Sequence, residues 1–181
     1  KPLTATKQSC GLRSAAAFVR ELLERLQQRP VHTAVDTALN VAWDSVEILL
    51  DSVDLWRVDL KIMDPGRHRK YTGVTNTRIL DNLKRLSQLT KGEIIIRIPM
   101  IKDITATAEN ILATIHFIKT IENICYTELL PYHEFGEIKL KSLGLNENNQ
   151  FFKRPDDEAL HRFASEFKAA GLTVRLSGNT L

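Results

Sequence analysis

Arg57, Asp59 and Lys61 stand at alternate positions of the segment VDLWRVDLKIMDPGRHRKYTG, residues 53–73, within an otherwise apolar run. Alternate side chains of a strand share one face, so the three charges should project together. A row of this kind can bind a ligand carrying both signs of charge or present an amine to a carbonyl; it can also simply neutralise itself. Further polar residues fall where strands should end: Asp36 with Thr37, Arg97, and His133 after Pro131-Tyr132. In a parallel α/β sheet the carboxyl edge gathers side chains from several strands into one place. Asp36 and Asp59 on nearby strands would repel unless a cation such as Lys61 or Arg97 lay between them. A charged-ligand site is the expectation, beside the plainer readings of a self-neutralised row and of His133 as a solvated strand-exit histidine.

The elements that must position these residues alternate regularly. Ser14 to Arg29 predicts an amphipathic helix with Phe18, Leu22, Leu23 and Leu26 on its inward stripe, and Val31 to Asp36 a strand after it. A short helix near Ser45 to Leu50 precedes the strand Asp54 to Ile62, which a loop at Asp64, Pro65 and Gly66 ends. Thr75 to Leu89 reads as a helix with Asn76 as a cap and Ile79, Leu80, Leu83 and Leu86 inward. The strand Glu93 to Pro99 leads to the helix Ala106 to Ile121, with Ile111, Leu112, Ile115 and Ile118 on its stripe. A strand from Ile124 to Leu130, a polar loop with Asn146, Asn148 and Asn149, a helix from Asp156 to Ala170 and a strand from Leu172 to Leu176 complete the pattern. Each strand-to-strand connection holds a helix long enough to cross the sheet, so the strands should be parallel and the fold α/β.

At 181 residues, 43% hydrophobic and 26% charged, the chain suits one domain, 1–181, with a real core. A net charge of +3 without a basic run gives no reason to expect nucleic acid as a partner. Apolar runs such as Ile94 to Ile98 are too short to span a bilayer, so no membrane is expected and a cytoplasmic location is the default. Cys10 and Cys125 are the only cysteines and form no Cys-x-x-Cys unit, which predicts two reduced thiols, with Cys125 buried in its strand, and no metal site or cluster in this chain. A complete eight-fold barrel takes about 250 residues, so an incomplete one or an open sheet is expected.

Longer motifs add to this. They are His32-Thr33-Ala34-Val35-Asp36-Thr37, Asp59-Leu60-Lys61, Met63-Asp64-Pro65, then His68, Lys70, Thr72-Gly73-Val74, Asn76, Ile96-Arg97-Ile98-Pro99, and Glu128-Leu129-Leu130-Pro131-Tyr132-His133, followed by Glu134, Gly136, Lys139 and Gly144. In this order they resemble the radical S-adenosylmethionine enzymes that activate glycyl radical enzymes, the pyruvate formate-lyase activating enzyme type. The resemblance implies an incomplete parallel (β/α) TIM-like barrel lacking its N-terminal strands. It implies a parent oxidoreductase that uses S-adenosylmethionine and a 4Fe-4S cluster to install a glycyl radical on a partner enzyme. By the same resemblance Asp36, Thr37, Asp59, Lys61, Arg97 and His133 would line the S-adenosylmethionine pocket.

Departures from the family pattern sharpen the expectation. The three cluster cysteines have no counterpart, so this chain is expected to hold no cluster and to be inactive alone as the C-terminal part of an activase. Ala38-Leu39-Asn40 stands where the family often has a glycine-containing turn, Lys102-Asp103 where it commonly has Pro-Gly, and Arg57 at a normally apolar inward position. An uncovered sheet edge and apolar barrel interior would favour self-association. The alternatives are a Schiff-base lyase acting through Lys61 and a non-catalytic ligand-binding module of the same fold.

Overall fold

The computed structural model describes residues 6–133 and 152–177. The matching residues Glu134, Gly136, Lys139 and Gly144, and the asparagine-rich loop, lie outside them. Five strands form one parallel sheet in sequential order: β1 Ala34–Thr37, β2 Leu55–Asp59, β3 Glu93–Met100, β4 Ile124–Pro131 and β5 Val174–Leu176. The helices among the described residues are α1 Thr6–Leu26, α2 Trp43–Glu47, α3 Pro65–Thr72, α4 Thr77–Leu89, α5 Ala108–Ile118 and α6 Asp157–Ala169, with a 3-10 turn at Leu50–Ser52. This is the expected α/β arrangement, an open run of strand-helix units consistent with part of a barrel.

One face of the sheet is apolar and makes the core. Trp56 and Val58 of β2, Ile94, Ile96, Ile98 and Met100 of β3 and Leu129 of β4 bury against Ile79, Leu83 and Leu86 of α4, Ile111, Ile115 and Ile118 of α5, and Leu160, Phe163 and Phe167 of α6. The alternate residues point the other way. They are Asp36, then Arg57 and Asp59, then Ile95 and Arg97, then Tyr126 and Glu128, then Arg175. The inner face is therefore rich in charge, contrary to the expected apolar interior, and its charges oppose stacking a second apolar layer there. Among the described strands β1 pairs only with β2.

Close approach and capping fix the connections. Gly92, before β3, has no room for a side chain: a Cβ would lie 2.4 Å from the Val53 carbonyl oxygen. Asp64 caps α3 by accepting from the Arg67 N–H, Pro65 occupies its first turn, and Gly73 ends it in the left-handed region at φ 82°. Thr107 and Asp156 cap α5 and α6 in the same way. Asn76 stands at the N-cap position of α4, as expected, but its side chain makes no capping bond. Its amide instead donates to the Ile62 and Met63 carbonyls, which lie just after the charged row.

Three side-chain expectations are corrected. Phe18 and Leu22 are 67% and 46% exposed, because α1 reaches little beyond α2 and the 3-10 turn and only Leu23 of its stripe is buried. Leu112 is half exposed on the outer side of α5. Cys125 is exposed, because the β3 to β4 register jumps from Ile124 to Tyr126 and leaves the cysteine as the extra residue of a bulge.

At the amino edge Asp54 accepts from the Thr33 N–H and hydroxyl, both at 2.8 Å. Those bonds hold its carboxyl below the ordinary value of 3.8, with the nearby His32 charge adding a smaller effect. A depressed folded value contributes stability that is full above the unfolded value and is lost as pH falls through the lower folded one. Urea unfolding of Asp54→Asn between pH 5 and about pH 2 should therefore show a shallower decline than the parent chain. Parallel declines would remove Asp54 from the acid response.

Candidate functional site

At the carboxyl edge the inner face carries a chain of ion pairs built from three strands. Arg97 of β3 lies between two carboxylates: its Nη1 is 2.9 Å from Asp36 Oδ2 on β1, and its Nη2 is 2.8 Å and Nε 3.0 Å from Asp59 Oδ1 on β2. Arg57 Nη1 reaches Asp36 Oδ1 at 3.4 Å, and Lys61 Nζ reaches Asp59 Oδ2 at 3.3 Å. The sequence Arg57, Asp36, Arg97, Asp59, Lys61 thus alternates in sign, with Arg97 as the cation that keeps two carboxylates together. Exposure falls inward: the Asp36 side chain is 49% exposed, Asp59 25% and Arg97 14%. The outer Arg57–Asp36 pair, 39% and 49% exposed, contributes modestly to stability and can exchange partners with a ligand, whereas the Arg97–Asp59 pair lies mostly out of solvent and holds the row together.

The remaining expected residues occupy the same edge in different ways. Thr37 ends β1 in register with Val58, on the helix-covered side, and its hydroxyl accepts from the Leu39 N–H at 2.9 Å. His133 is exposed at the exit of β4, where the Tyr132 N–H donates to the Met100 carbonyl. The structure joins Asp36, Asp59, Lys61 and Arg97 directly, and sets Thr37 at the turn and His133 at the neighbouring strand end.

No family model matches the chain. It is 31% identical over 163 residues to the trans-4-hydroxy-L-proline dehydratase activating enzyme of Clostridioides difficile, covering 89% of this chain and 53% of that protein. It is 32% identical over 149 residues to the pyruvate formate-lyase-activating enzyme of Staphylococcus epidermidis, covering 79% and 59%. A crystallised domain of pyruvate-formate lyase-activating enzyme from Bacteroides vulgatus superposes with a TM-score of 0.77 at 26% identity, covering 92% of this chain and 94% of that one. The chain is related to the glycyl radical enzyme activating enzymes.

The chain spans a little over half the length of the two curated relatives it matches. Its two departures from the family's glycine-containing turns both show positive φ: Leu39 at 55° and Asp103 at 61°. The turns keep the backbone that glycine favours while carrying side chains, and at Leu39 the buried side chain offsets the cost.

Two asparagines fix the chain leaving β2: Asn76, expected only as a cap, and Asn110, which the sequence reading did not single out. Asn110 on α5 is buried; its Oδ1 accepts from the Met63 N–H at 2.8 Å and its Nδ2 donates to Lys61 O at 3.0 Å and Thr105 O at 2.9 Å. With Asn76 it occupies the main-chain carbonyls of Lys61, Ile62 and Met63 in turn. His68, also buried, has Nδ1 2.7 Å from the Val74 carbonyl, so that nitrogen carries the proton and the ring anchors α3.

Glu128, in register with Arg97 and accepting from the Ser177 hydroxyl, extends the charged face toward β5; its alternation with Tyr126 and Leu130 was the available signal. Arg175 stacks on Tyr126 at 3.8 Å. A cavity of about 400 Å³ lies at the opposite, amino edge, lined by Ile118, Cys125, Tyr126, Thr127 and Leu172 among others.

Proposed function

We propose that this chain is the S-adenosylmethionine-binding part of an activase that installs a glycyl radical on a partner enzyme of the pyruvate formate-lyase type. The observation that carries the reading is the alternating ion-pair chain on the inner face at the carboxyl edge. A methionine moiety brings one ammonium and one carboxylate, a ribose brings two hydroxyls, and the sulfonium is cationic. Asp36 and Asp59 supply acceptors for the ammonium and hydroxyls, Lys61 a cation for the carboxylate, and Arg97 the guanidinium that bridges and orients both aspartates. Thr37 and His133 complete the set at the neighbouring strand ends. Reductive cleavage of bound S-adenosylmethionine supplies the hydrogen-abstracting radical in this family, and the protein's own contribution is placement and electrostatics.

The present residues do not match a cluster that needs three thiolates. The sequence holds two cysteines, and Cys125 sits at the amino end of β4, across the sheet from the ion pairs. In this reading the cluster is held by other residues of the parent protein. The Schiff-base alternative is less well supported, because Lys61 pairs with Asp59 and an ammonium is not a nucleophile.

Calorimetric titration of the parent activase with S-adenosylmethionine tests the assignment. Asp59→Ala should bind at least about tenfold more weakly, some 1.4 kcal/mol, while Glu21→Ala, on the exposed side of α1, should bind as the parent does. Equal affinities for the two variants would sink the site.

A further inference from the structure

We propose that α3 and the first turn of α4 form a docking face for an acidic surface of the glycyl radical enzyme; the identity of that partner rests on the function proposed above. The helix α3, PGRHRKYT, contains no carboxylate. Of its basic residues, Arg67 is spent on the main chain, donating to the Asp103 and Ile104 carbonyls, and His68 is buried. Arg69 and Lys70 are exposed, as is Arg78 at the start of α4, and among the described residues none of the three has a carboxylate within ion-pair distance.

Elsewhere on the surface this chain treats arginine differently. On α1, Arg20 pairs with Glu24 and Arg25 with Glu21, each four residues away. On α4 itself Arg85 lies over the Trp43 ring at 4.0 Å. An ordinary solvated helix face mixes its signs in this way. The helix dipole accounts for Arg69 and Lys70, which stand in the last turn of α3 where cations are favoured. It does not account for Arg78, which occupies a first turn, where a cation is disfavoured and acidic residues are absent.

Placement adds the functional link. Asp64, the cap of α3, follows Lys61 by three residues, and Arg67 ties the helix to the loop after β3. The three cations therefore stand on an anchored helix pair beside the carboxyl edge where the ion-paired site opens. A partner delivering a backbone segment to that edge would pass its own surface over α3. Lys70 rests over the Tyr71 ring at 5.2 Å, a contact that leaves its charge unneutralised. Three cations there without a carboxylate partner among the described residues select a carboxylate-bearing surface and raise its encounter rate.

The test is the charge reversal Arg69→Glu, Lys70→Glu, Arg78→Glu in the parent activase. Two probes are used: poly-L-glutamate, which owes nothing to the family reading, and a pyruvate formate-lyase type enzyme. Both should bind the reversed protein at least about tenfold more weakly at 0.1 M salt, with the difference shrinking at 0.5 M. S-adenosylmethionine affinity and the unfolding midpoint, measured on the same protein, should stay near the parent values. Equal poly-L-glutamate binding by parent and reversed proteins would overturn the acidic-docking face, and equal binding of the enzyme would overturn its use for that partner. Failure of the function proposed above shows separately, in the Asp59→Ala titration.

Discussion

Replacing Trp56 with alanine is expected to remove about 4 kcal/mol of folding stability, the upper part of the range for truncating a buried aromatic residue. Trp56 is 1% exposed on the apolar face of β2 and is the largest fully buried side chain. Its indole N–H donates to the Thr90 hydroxyl at 3.1 Å, and that hydroxyl in turn accepts from the Gly92 N–H at 3.0 Å. Truncation opens a cavity under the sheet and unties the turn at Gly92, where no side chain fits. Trp56→Phe keeps most of the volume and should cost about 1–2 kcal/mol. Urea unfolding gives both numbers from the midpoint at constant slope. A loss below about 1.5 kcal/mol for Trp56→Ala would mean that the surrounding core collapses into the space, contrary to the tight packing inferred from its burial.

Asn110→Ala should cost nearly as much for a different reason. The change strands the Met63 N–H and the Lys61 and Thr105 carbonyls, all held by one buried amide. Leaving a buried polar group unpaired costs about 1–3 kcal/mol, and partial access of water brings the sum for three to about 3–4. Leu112→Ala, on the half-exposed side of the same helix, is the control and should cost under about 1 kcal/mol. On the function proposed above, Asn110→Ala should also weaken S-adenosylmethionine binding, since it frees the main chain at Lys61. Unchanged stability in the alanine variant would show that the amide is replaceable by water.

The strands were legible because their apolar residues recur with period two or in unbroken runs, and the charged row in β2 because Arg57, Asp59 and Lys61 break that run at alternate positions. The repulsion expected between Asp36 and Asp59 also named its own remedy, and Arg97 is the cation found between them. Helical periodicity identifies a stripe but not whether anything packs on it, which is why Phe18 and Leu22 are exposed and Leu23 is not. The helix α3 shows no apolar stripe at all; its signal was the cap Asp64, Pro65 and the terminating Gly73, which reads equally well as a turn. Asn110 and Asn76 were invisible as anchors because their partners are main-chain atoms distant in sequence. The bulge at Cys125 depends on strand register, which composition does not specify.

The clamp formed by Asn76 and Asn110 reads only main-chain atoms between Lys61 and Met63. It is therefore blind to which side chain stands at position 61. Selection can alter the charge, length or polarity offered there without rerouting the chain or disturbing the adjoining helices. In a fold that serves many reactions by varying its strand ends, such indifference makes one scaffold adaptable to different ligands, with innovation confined to a single codon.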